Sequence, residues 1–131
     1  MSQENVEIVR RAYAEFERGN FWVPEFFDPR IRVVWLPAIG GDTETVGLLE
    51  MDRVVRDWMR SWDHARLIAE RFIDAGEQVV VTAYWRARGK ASGVNTDWRH
   101  GSVWTLRDGK AIDVVSHPDP ADAIKAVGLE E

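Results

Sequence analysis

From Arg66 to His117 the chain reads as strand, with apolar and polar residues alternating over much of its length, separated at Ala75-Gly76, at the run from Gly89 to Gly93 and at Asp108-Gly109. Period-two alternation over such lengths marks strands with one buried face, and Asp-Gly is a tight-hairpin signal. Strands are therefore predicted over 66–74, 77–89, 95–107 and 110–117, joined as an antiparallel meander. Before Arg66 the rhythm is mostly helical. Val6, Val9, Tyr13 and Phe16 recur at steps of three and four, predicting a helix over about 4–18 with Ser2 or Asn5 as cap and Gly19-Asn20 as stop. Met51, Val54, Val55, Trp58, Met59 and Trp62 predict another over about 50–63, with a bulky apolar stripe. Between them, the stretch from Phe21 to Pro29 reads as a short helix broken at Pro29. Ile31, Val33 and Trp35 read as a strand ended by Pro37, and 38–47 as loop. A last helix over about 120–127 opens at Pro120 and closes at Gly128.

Helices followed by a meander of long strands give an α+β fold with the helices packed on one face of the sheet. Alternation assigns the faces. Trp98, His100, Ser102, Trp104 and Leu106 share the side toward the helices, with Val79, Val81, Ala83 and Trp85 before them and Ile112, Val114 and Ser116 after. Asp97, Arg99, Thr105 and Arg107 point away. The outer face then carries Val80, Thr82, Tyr84, Val103, Thr105 and Val115, which is apolar enough to predict a sheet-to-sheet homodimer.

The 131 residues suit a single domain spanning 1–131. A net charge of −5, with 17 Lys and Arg scattered among 22 acids, disfavours nucleic acid and anionic membrane as partners. There is no cysteine, hence no disulfide and no thiolate nucleophile, and the opening MSQENVEIVRR carries no apolar block, so a cytoplasmic protein is expected. The histidines at 64, 100 and 117 lack metal-ligand spacing, and GGDTETVG lacks the lysine and setting of a phosphate loop, reading instead as a mobile loop over a cavity mouth. Neither metal nor cofactor is expected.

The opening helix ending in ERGN, the segment FFDPRIRVVWLP, the strand pair FIDAGEQVVVTAYWRARG and the end VWTLRDGKAIDVVSHPDPADAIKAVGL together resemble the SnoaL-like polyketide cyclases of the nuclear transport factor 2-like superfamily, which includes ketosteroid isomerase. The resemblance spans nearly the whole chain and lies in the joint order of these segments. It implies a cone-shaped α+β barrel with a curved, mainly antiparallel sheet, a deep apolar cavity between helices and sheet, and a dimer through the outer sheet face. It also implies which chemistry is missing. Ketosteroid isomerase uses an aspartate base with a tyrosine and a protonated aspartate as oxyanion donors, a system that serves as a general example of pKa tuning. Here the base position falls on Leu36 and the second aspartate on Ser102, while Tyr13 lies within one residue of the tyrosine position, so steroid isomerisation by that route is not expected.

The candidate site follows from the inward face. Phe16, Trp35, Trp58, Trp62, Val81, Ala83, Trp85, Trp104, Val114 and Ser116 are the expected ligand-binding residues, for a small apolar organic molecule. The tryptophans have an alternative role as plain core. His100, Ser102 and Tyr13 are the candidate catalytic residues. A neutral His100 can take a proton while Ser102 or Tyr13 steadies an oxyanion; equally, it can be a half-buried polar residue bonded to a neighbour, with no chemistry. Two function classes stay open: a binding module, and a cofactor-free acid–base enzyme such as a cyclase, isomerase, hydratase or dehydratase. In the first strand the hydrophobic pattern turns Trp35 inward, whereas the resemblance turns Leu36 inward.

Overall fold

The computed structural model describes residues 2–39 and 43–129. Helix α1 (Ser2–Glu17) opens the chain, and a 3-10 turn (Pro24–Phe26) leads into β1 (Phe27–Val34). A second such turn (Pro37–Ile39) and a short β2 (Glu44–Val46) precede α2 (Leu48–Met59). Four long strands follow, β3 (Trp62–Ala75), β4 (Gln78–Gly89), β5 (Asn95–Arg107) and β6 (Lys110–His117), before α3 (Pro120–Ala126). They form one open, curved sheet of order β2-β1-β6-β5-β4-β3. The meander β3 to β6 is antiparallel throughout, while β1 joins β6 in parallel and β2 antiparallel. The fold is thus α+β with a mixed sheet.

Helix α1 buries Val9, Ala12, Tyr13 and Phe16 against the sheet, as its spacing requires. It ends in a Schellman arrangement: Asn20 N–H reaches Glu15 O at 2.9 Å and Gly19 N–H reaches Phe16 O at 3.0 Å. Gly19 sits at φ 90°, and a Cβ there would also meet the Arg66 guanidinium at 2.7 Å. The same core holds Val79, Val81 and Ala83 of β4 with Trp104 and Leu106 of β5.

Several boundaries differ from the sequence reading, each for a local reason. The short helix expected over Phe21 to Pro29 shrinks to one 3-10 turn, because Phe27 is captured by β6 opposite Ala111. The stretch expected to be loop contains β2, which pairs with β1 through Thr45 opposite Val33. Its residues 40–42, part of the expected mouth loop, lie outside the described residues. Helix α2 ends at Met59, so Trp62 opens β3 instead of closing the helix stripe.

Two of the register irregularities in the sheet change which residues face the core. In β3 the register slips between Ala69 and Arg71. Ala69 and Phe72 therefore pack into the main core, while Ile68 falls opposite Tyr84 and Glu70 lies exposed against Arg99. In β6 the irregularity puts Ala111, not Ile112, into the core.

The outer face is not bare. Helix α3, capped by Asp119 through a 2.9 Å bond from Ala121 N–H, lays Ala123 and Ile124 on Val80 and Val103. Much of the apolar surface that suggested a homodimer is thus covered within one chain. Among the described residues no helix is long and apolar enough to cross a membrane.

Candidate functional site

Between α1, α2 and the inner sheet face lies a cavity of about 150 Å³. One end is framed by Tyr13 and Phe16 of α1, Phe27 of β1 and Trp104 of β5, whose rings meet at centroid distances of 5.0 Å (Tyr13 to Phe16), 5.7 Å (Tyr13 to Trp104) and 5.5 Å (Phe27 to Trp104). The other end is framed by Trp58 and Met59 of α2, Leu67 of β3, Trp85 of β4 and Trp98 of β5, with Phe21 beside them. Trp58, Trp62, Trp85 and Trp98 form a four-way cluster in which every pair of rings lies between 5.2 and 6.3 Å.

Of the residues expected to bind ligand, Phe16, Trp35, Trp58, Trp85, Trp104, Val114 and Ser116 line this cavity. Trp62, Val81 and Ala83 do not. Trp62 packs on the cavity's tryptophans from β3, having left the helix stripe that suggested its role. Val81 and Ala83 are fully buried in the core between the sheet and α1. Trp35 and Leu36 both reach the cavity, since β1 stops at Val34 and the chain then turns. Trp35 is held there by its indole N–H to Thr45 Oγ1 at 3.0 Å. Phe21, Phe27, Val33, Ile39, Met51, Val55, Met59 and Leu67 are further lining residues. Met51, Val55 and Met59 belong to the α2 stripe and were legible as its inner face; Leu67 reaches the cavity only because β3 is bulged.

The polar part of the wall comes from His100, Ser102 and Ser116 on the sheet and Tyr13 on α1. Tyr13 Oη and Ser102 Oγ are 3.0 Å apart, and Trp104 donates its indole N–H to the same Ser102 Oγ at 3.2 Å. Burial pushes the Tyr13 phenol above its ordinary value of 10.0, against the smaller opposing pull of hydrogen bonds from Ser102 and Trp104. His100 is 7% exposed, and burial pushes it down from 6.5 to about 4, so the imidazole is neutral at pH 7. Its Nδ1 is buried with no hydrogen-bond partner among the described residues. Asp97 and Arg99 lie on the opposite face, in ion pairs with Arg86 at 3.5 Å and with Glu70 at 2.8 Å. His117 sits opposite Gly101 at the end of β6. Among the described residues no cluster of three or more His, Asp or Glu is arranged to hold a metal ion.

This architecture has counterparts among solved structures. An NTF2-like protein of unknown function from Burkholderia pseudomallei K96243 superposes with a TM-score of 0.76 at 24% identity, covering 95% of this chain and 98% of the other. A protein assigned as a SnoaL-like polyketide cyclase from Jannaschia sp. CCS1 matches at 0.76 and 19%, covering 99% and 95%. The protein TerC, co-crystallised with polyporic acid, matches at 0.75 and 20%, covering 95% and 98%. The fold is nuclear transport factor 2-like. No protein-family model matches the chain, and no curated protein does. Within this NTF2-like frame the two positions that the resemblance assigns to carboxylates, Leu36 and Ser102, both lie on the cavity wall. One is apolar and the other a hydroxyl, and no carboxylate lines the cavity among the described residues.

Proposed function

We propose that this protein binds a small, largely apolar organic molecule, about one ring in size, in the cavity between α1, α2 and the sheet. The observation that carries the reading is the lining itself: aromatic and aliphatic side chains surround about 150 Å³, with polar groups concentrated at His100, Ser102, Tyr13 and Ser116. Apolar walls with a few placed polar groups are the usual make-up of a small-molecule site, and an apolar cavity of about this volume accommodates a benzene-sized guest. The co-crystallisation of TerC with polyporic acid supports the use of this fold for organic ligands. The test is titration with single-ring probes, read by the fluorescence of the lining tryptophans and by calorimetry. Val114→Phe, which fills the space from the sheet side, should abolish the signal while the protein stays folded. Undiminished binding to that variant would sink the reading.

A second reading, cofactor-free acid–base catalysis by His100, draws on one observation. The imidazole is neutral, lies on the cavity wall and has a nitrogen, Nδ1, without a partner among the described residues. No carboxylate lines the cavity beside His100 among the described residues, and a base held near pKa 4 is weak. His100→Ala separates the two: loss of turnover with retained binding favours catalysis, whereas absence of turnover in both proteins favours binding alone. The proposed partner for the outer face is a second copy of the chain, contacting the strip of Glu70, Tyr84, Arg86, Asp97 and Arg99. Light scattering at micromolar concentration tests it.

A further inference from the structure

The chain's internal sulfur is gathered on one wall of the cavity. The sequence has no cysteine and three methionines, Met1, Met51 and Met59. Met51 and Met59 both line the cavity, and Val55, midway between them on α2, lines it too. Steps of four residues set these three side chains on one helix face. Helix α2 thus turns both thioethers toward the space that the binding reading fills. The two differ in access. Met51 is buried in the main core at 7% exposure, whereas Met59, the last residue of α2, is half-buried and packs with Trp58, Trp62 and Trp98 in the cluster around Trp85.

A thioether is uncharged and polarisable, and it packs well among aromatic rings. Its sulfoxide does not, because oxidation turns a flexible apolar side chain into a polar one. With no thiol in the chain to react first, Met59 is the more accessible of the two cavity thioethers that a peroxide can meet. The sulfur attacks one peroxide oxygen, and the O–O bond breaks as the S–O bond forms. The departing hydroxide takes the proton of the transferred oxygen and leaves as water, so the sulfur is oxidised and the peroxide reduced. We propose that Met59 is an oxidation site through which hydrogen peroxide weakens the cavity's hold on an apolar occupant, while Met51 is shielded. The site stands on exposure and lining alone; its effect on the occupant rests on the binding reading above.

The experiment treats the full chain with hydrogen peroxide at pH 7 and locates the added oxygen by peptide mass mapping, which separates Met59 from Met1 and Met51. Ethylbenzene binding is measured by calorimetry before and after. Met59 should gain oxygen before Met51, and saturating ethylbenzene should slow that gain. Conversion should weaken ethylbenzene about tenfold, the order of loss expected when a polar group joins an apolar wall. Met59→Leu tests the assignment, because peroxide should no longer lower its affinity, whatever that affinity is. Met59→Gln, polar and of similar length, should reproduce the loss without peroxide. Three results overturn the inference and leave the binding reading standing: oxidation of Met51 ahead of Met59, a Met59 rate indifferent to ethylbenzene, or full conversion of Met59 with ethylbenzene affinity unchanged. Absence of ethylbenzene binding to the untreated protein overturns the binding reading, and this inference with it. Should the oxidised protein lose its circular dichroism signature, Met59→Gln and the shielding of Met59 by ethylbenzene decide the matter.

Discussion

Tyr13 and Ser102, 89 residues apart in sequence, meet through hydroxyl oxygens 3.0 Å apart, and this bond ties α1 to the centre of β5. Both side chains are buried, and Ser102 also accepts the indole N–H of Trp104. One small oxygen thus satisfies groups on two elements, and losing it strands a buried indole N–H.

Ser102→Ala should therefore destabilise the fold by about 1–3 kcal/mol, because it leaves a buried donor without a partner. Tyr13→Phe keeps Ser102 as acceptor for Trp104 and should cost only about 1 kcal/mol. Urea denaturation of the two variants at pH 7 checks the order. Equal losses would mean that the Trp104 bond contributes nothing.

The stability of the protein should depend on His100 in mildly acidic solution. Burial depresses the folded-state value to about 4 from 6.5, so between these limits the unfolded chain binds the extra proton and folding weakens as pH falls. The contribution is complete above about pH 6.5 and has been lost by about pH 4. At 1.36 kcal/mol per unit, the window spans about 3 kcal/mol. His100→Gln does not titrate, so the stability difference between parent and variant should shift by about 2 kcal/mol between pH 7.5 and pH 5, against the parent. Parallel pH profiles for the two proteins would mean that His100 is solvated.

The long strands, their hairpins and the inward set of β5 were legible in the sequence because period-two alternation survives wherever the ladder is regular. Trp98, His100, Ser102 and Trp104 illustrate this: one unbroken strand projects all four into the cavity. Alternation fails where a bulge adds a residue, as at Glu70 and Ile112, since each extra residue exchanges the faces beyond it. The bond from Tyr13 to Ser102 had no sequence signal. It depends on where α1 crosses the sheet, and that is set by packing of the whole core. Trp62 misled for another reason. Its position continues the α2 stripe, but the helix stops at Met59 and the same residue becomes a strand end.

Trp62 supplies a further prediction, because it supports the cavity without touching it. It packs edge-on to Trp85 at 5.7 Å and to Trp98 at 6.2 Å, and tilted on Trp58 at 5.2 Å. Trp62→Ala should lower stability by about 2–4 kcal/mol through lost burial and ring contacts. Trp62→Phe retains much of that packing, and single-ring probes should bind it within about twofold of the parent. A tenfold loss of probe affinity in Trp62→Phe would place this side chain in the site after all.

Gly101 governs the docking of α3. It lies in β5 opposite Thr82, and a Cβ at this position would meet Ala123 Cβ at 2.6 Å and Pro120 Cα at 3.1 Å. No unstrained arrangement accepts that first distance, so Gly101→Ala must push α3 off the sheet and loosen the cover over Val80 and Val103. The expected cost is about 1–3 kcal/mol, typical of overpacking, with faster amide exchange confined to α3 and to the outer faces of β4 and β5. Ala123→Gly removes the closer of the two obstacles. Combined with Gly101→Ala it should recover part of the lost stability, although alone it destabilises α3 by about 1 kcal/mol. If Gly101→Ala exchanges and unfolds like the parent, α3 is not packed through this contact, and Val80 and Val103 must be covered in some other way.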